Sequence, residues 1–138
     1  MREVFSDLSL ITRYAEIEIA LAKAEARCGV IPAQAAEAIA KRTDVSALDF
    51  DLLRSETDIV GYPILPLVHQ MVKMCGEAGR YVHWGATTQD IMDTANVLQV
   101  RDGEGKDASE RLIPFVAAYV HDVDLAARRI RVSWQKDW

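Results

Sequence analysis

His83-Trp84-Gly85-Ala86-Thr87-Thr88-Gln89-Asp90 gathers an imidazole, a glycine, two hydroxyls, an amide and a carboxylate into one short run. Directly after it, Ile91 to Val100 is amphipathic and reads as a helix. The first N–H groups of a helix lack intrahelical partners and lie at the positive end of its dipole, so donors placed there suit an anion. Thr87 and Asp90 also have the S/T-x-x-D/E spacing of a capping box. Spacing alone leaves both readings open, a helix cap and an anion site.

Working outward, the pattern is helical. Leu10, Tyr14, Ile17, Leu21, Ala24 and Cys28 recur at steps of four and three, which predicts one apolar face of a long helix. Arg13, Glu16, Lys23 and Arg27 fall off that stripe. Ser6 or Asp7 can cap its start, and Gly29 is placed to end it in the left-handed conformation. Pro32 suits the first turn of a second helix through about Lys41, and Asp49 to about Asp58 reads as a short third. Gly61-Tyr62-Pro63 breaks the pattern before a fourth helix from Pro63 to Glu77. Pro66 falls in its first turn, where a missing N–H costs no hydrogen bond.

The motif segment then reads as a loop leading into a helix from Asp90 to Arg101. Asp102-Gly103-Glu104-Gly105-Lys106-Asp107 is expected to interrupt it. Leu112, Phe115, Tyr119, Val123, Ala126 and Ile130 restore a helical stripe, and the polar end from Ser133 to Trp138 is of a kind often disordered. No strand of consequence is predicted anywhere.

Composition excludes several classes. The chain has 138 residues, half of them hydrophobic, enough for one domain with a modest core. A net charge of −5 argues against a nucleic-acid binder. No apolar run is long enough to span a membrane, and Met1-Arg2-Glu3-Val4 lacks the apolar core of a signal peptide. The reading is therefore cytoplasmic and reduced. Cys28 and Cys75 match no metal or redox spacing, and Cys28 is expected in the core.

The segment from Val82 to Ala95, with Phe5-Ser6-Asp7, the helix that follows and Gly29-Val30-Ile31-Pro32, resembles the N-terminal part of the fumarase/aspartase superfamily of lyases. The nearest likeness is to the branch holding 3-carboxy-cis,cis-muconate cycloisomerase and adenylosuccinate lyase. It covers about residues 1 to 101 and leaves 102 to 138 as an unmatched helical tail. The resemblance implies an all-α chain, the truncated N-terminal helical domain of a long helical bundle that in full-length members is usually a homotetramer. It implies a small dicarboxylate or tricarboxylate substrate, with no cofactor and no metal.

The shared chemistry removes a proton next to a carboxylate and expels a leaving group, or closes or opens a lactone. Both routes put negative charge on a carboxylate, where fixed donors lower the barrier. By resemblance Thr87, Thr88 and Gln89 bind and orient substrate, Gly85 and Asp90 shape the loop, and Thr94 is structural. Two roles are open to His83, donation to a substrate carboxylate or fixing the loop through a backbone hydrogen bond. His69 is expected to be structural or on the surface. His121 lies outside the matching region.

Adenylosuccinate lyases usually carry a His-Asp-Val type segment upstream of the motif. Here that stretch reads Glu56-Thr57-Asp58-Ile59-Val60, and Gly61-Tyr62-Pro63-Ile64 looks more like the cycloisomerase pattern. The family's later Thr-His pair and serine loop are absent from this sequence. The resemblance thus implies binding donors without their acid and base, and a chain silent by itself. The other reading is a non-catalytic helical interaction module, built on the long apolar stripe from Leu10 to Cys28.

Overall fold

The computed structural model describes residues 6–104, 120–124 and 129–132. The chain divides into two compact units, Met1–Lys106 and Asp107–Trp138.

The first unit is helical. Helix α1 spans Asp7–Arg27, and the Ser6 side chain accepts from Ser9 N to cap it. Gly29, at φ +73°, turns the chain out of the helix as the sequence predicts. Helix α2 runs Ala33–Arg42 with Pro32 as its N-cap. A 3₁₀ turn, Val45–Ala47, leads to α3, Phe50–Val60. The Asp49 carboxylate caps α3 by accepting from Leu52 N. Helix α4 is Ile64–Cys75 and ends two residues earlier than predicted, because the chain tightens there into a 3₁₀ turn, Gly76–Tyr81. Pro66 is the third residue of α4 and is buried.

Helix α1 packs against α2 and α5 (Thr88–Glu104), and α4 packs against α2 and α3. Ile39, Ile64, Leu67 and Met71 are fully buried between them. Each such side chain contributes about 1.5–3 kcal/mol of transfer free energy. Gly79 lets the 3₁₀ turn press on α4, since a Cβ there would lie 2.5 Å from the Val72 carbonyl oxygen. The buried amide of Gln70 joins α4 to the start of α3: Asp49 N donates to Oε1 at 2.8 Å, and Nε2 donates to the Asp49 carbonyl at 3.0 Å.

The structure corrects the sequence reading at four further places. The buried face of α1 is Ile11, Tyr14, Ala15, Glu18 and Ala22, rotated from the predicted stripe. Leu10, Ile17, Leu21 and Ala24 are only half-buried. Cys28, expected in the core, is exposed, because α1 ends before it and its cap residue faces solvent.

Helix α5 does not stop at Arg101 but continues to Glu104. There Arg13 of α1 donates to Asp102 at 2.6 Å, a cation that offsets a carboxylate placed at the unfavourable end of the helix dipole. In the second unit the expected helix is absent from the described residues, which form an antiparallel hairpin of β1 (Val120–Asp124) and β2 (Arg129–Val132). Arg129-Ile130-Arg131-Val132 alternates with the period of a strand, and the β-branched residues favour it. His121 lies in β1, where an irregularity interrupts the register. Leu112, Phe115, Tyr119 and the Ser133–Trp138 end lie outside the described residues.

Candidate functional site

The motif loop crosses from the 3₁₀ turn to α5 over one face of α1. Val82 is buried and anchors it, while Tyr81 and Trp84 meet at a centroid distance of 6.2 Å. His83 follows in the left-handed region at φ +59°, the one non-glycine residue with positive φ among those described, and Gly85 turns again at φ +69°. A positive φ is uncommon for a side-chain-bearing residue, and histidine is among those that tolerate it best. Such a conformation persists when surrounding contacts hold it.

The contact that holds His83 is one the sequence reading did not find. Its Nδ1 lies 2.6 Å from Oε1 of Glu18, and the Glu18 side chain is 1% exposed. Of the two roles open to His83, neither is this pairing with a carboxylate of α1. Burial pushes the Glu18 carboxyl above its ordinary value, while the bond to His83 pulls it partly back. Glu25, two turns along α1, faces the same loop and is also raised by burial. The Oε2 atoms of both glutamates are buried without a hydrogen-bond partner. The available signal was positional: Glu18 is one helical turn from Tyr14, inside the apolar face rather than opposite it.

At the helix entrance the capping box forms. Thr87 N and Oγ1 donate to Asp90 Oδ2 at 2.9 and 3.0 Å, and Asp90 N donates back to Thr87 Oγ1 at 3.4 Å. These bonds hold the Asp90 carboxyl below the usual carboxylate range. The Gln89 amide donates to Asp93 at 2.6 Å, and the Thr94 hydroxyl donates to the Asp90 carbonyl. Thr88, half-buried as the first residue of α5, makes no side-chain hydrogen bond to a described residue.

The six predicted site residues therefore share one corner, but Thr87, Gln89 and Asp90 spend their polar atoms on the loop and helix. Thr57, which stands where adenylosuccinate lyases usually carry histidine, donates to the Leu53 carbonyl. It lines a cavity of about 220 Å³ with Asp7, Arg54 and Asp58. His69 is exposed. Among the described residues no group of three or more His, Cys, Asp or Glu is arranged to hold a metal ion. No described helix is long and apolar enough to cross a membrane.

At superfamily level this chain matches the fumarase/aspartase-type lyases in sequence and fold. It is 46% identical over 106 residues to 3-carboxy-cis,cis-muconate cycloisomerase of Acinetobacter baylyi, covering 72% of this chain and 24% of that one. It is 42% identical over 135 residues to trans-aconitate decarboxylase 1 of Mycosarcoma maydis, covering 93% and 27%. The crystal structure of a fumarate lyase from Mesorhizobium sp. BNC1 superimposes with a TM-score of 0.69 at 57% identity, over 74% of this chain and 24% of that one. The chain thus spans about a quarter of the length of the relatives it matches. The RimM PRC barrel domain family matches residues 90–138, a stretch that includes the hairpin and overlaps α5.

Proposed function

We propose that residues 1–101 form the carboxylate-binding corner of a fumarase/aspartase-type lyase, nearest the 3-carboxymuconate cycloisomerase branch, and that this chain alone is catalytically silent. The observation that carries the reading is the motif corner itself, with Thr88 uncommitted at the entrance of a 17-residue helix. A hydroxyl and free first-turn N–H groups at that point suit a substrate carboxylate. Two of the relatives named above carry 3-carboxymuconate and trans-aconitate in their names, both tricarboxylates, which supports a tricarboxylate as the ligand. Thr57 favours this branch over adenylosuccinate lyase, because its hydroxyl is occupied by its own helix and supplies no imidazole.

Titration of the purified chain with trans-aconitate, followed by calorimetry or NMR, tests the reading. Binding is expected to weaken about tenfold or more in Thr88→Ala, the usual range for a hydrogen bond to a charged group. Equal binding by both proteins would remove the site. No turnover of carboxymuconate or adenylosuccinate is expected, since an acid and base typically supply orders of magnitude of rate. Turnover abolished by Thr88→Ala would overturn the silent assignment.

A further inference from the structure

Glu18 is the only buried charged residue among those described, and it faces the motif loop from α1. The idealised cost of burying an ionised carboxylate is large, and apolar residues of similar volume often serve a core as well or better. Glu18 sits instead with one oxygen on His83 Nδ1 and the other without a partner. Glu25 brings a second carboxylate to the same loop, where a Cβ built on Gly85 would lie 3.9 Å from its Oε1. The His83 ring is mostly buried, its Nδ1 is committed, and Nε2 makes no hydrogen bond to a described residue.

We infer that Glu18 is a positioning residue that holds His83 in the Nδ1–H form and leaves Nε2 as the atom this corner offers to a bound polycarboxylate. The placement of that ligand rests on the function proposed above; the state of the ring does not. A carboxylate accepting from Nδ1–H fixes which nitrogen carries the hydrogen. Nε2 of the neutral ring then has a lone pair. When it takes a proton, the ring's charge is matched by Glu18, and the new N–H can donate to an anion. The same contact holds the backbone of His83 in its left-handed conformation.

Nitrogen-15 NMR of the histidine-labelled chain tests this. The chain has three histidines, and His83 is assigned as the signal lost in His83→Gln. With the rings neutral, wild-type His83 is expected to show a protonated Nδ1 and an unprotonated Nε2. Glu18→Ala should exchange the two signals toward the Nε2–H form, and Glu18→Gln, whose amide oxygen can still accept, should restore the wild-type pattern. An Nε2–H ring in the wild type, or a pattern unmoved by Glu18→Ala, overturns the inference. The wild-type spectrum alone decides it if Glu18→Ala does not fold. Trans-aconitate added to the wild type should shift Nε2; binding that leaves Nε2 unmoved also overturns it. Absence of binding counts against the proposed function, and the ring pattern then decides this inference separately.

Discussion

Glu18 links pH to stability. Its folded-state carboxyl lies above the ordinary value near 4.5, so the native state binds more protons than the unfolded chain at and above that value. The favourable contribution is therefore full below about pH 4.5 and is lost as pH rises through the folded value. Urea midpoints measured from pH 4 to pH 8 should fall more for the wild type than for Glu18→Gln; parallel curves would show that Glu18 does not carry the dependence. Asp90 has the opposite sign, since Thr87 holds its carboxyl below the ordinary 3.8. Its contribution is present above that value and fades in more acid solution. Gly79 is the other residue where one atom decides the outcome. A methyl group there meets the Val72 carbonyl oxygen at 2.5 Å, and backbone cannot yield cheaply. Gly79→Ala should cost about 1–3 kcal/mol by urea denaturation, the range for overpacking.

Helix ends were more legible in the sequence than helix faces. Ser6 and Gly29 bracket α1, and Asp49 and Gly61 bracket α3, because caps are local chemistry read from a few neighbouring residues. The face of α1 was misread because Glu18 carries a charge and its partner His83 lies 65 positions away. A long-range pair leaves no periodic trace. In the motif, the capping box was legible from spacing, whereas the commitment of Gln89 to Asp93 and the pairing of His83 were not. The β1–β2 hairpin was missed because Val123 and Ile130, which pair across the two strands, lie seven positions apart and so also fit a helical stripe. Thr87→Ala tests the cap at this scale: it should lower stability by about 1 kcal/mol in urea denaturation. A loss near zero would mean that water replaces the hydroxyl at no cost.

The buried hydrophobic residues of the first unit run from Ile11 to Ala95. Leu67, with no exposed surface at the centre of that core, is the place to probe its packing. Leu67→Ala should cost about 2–5 kcal/mol, through lost transfer energy and the cavity left behind. For a domain of this size that is a large share of total stability. A urea transition shifted by less than 1 kcal/mol would indicate that the helices collapse onto the gap. The chain 1–106 is expected to keep the helical circular dichroism of the first unit, because every buried side chain named above belongs to it.

The Gln70 amide, closing two hydrogen bonds on the Asp49 backbone, has a consequence for deuterium uptake. Asp49 stands just ahead of a helix, where amide protons normally exchange within seconds of contact with heavy water. Here that proton is held by a side chain rooted in α4, so its release requires α3 and α4 to part. Asp49 should thus retain its proton nearly as long as the central helical amides. One slow junction proton would report the separation of two helices.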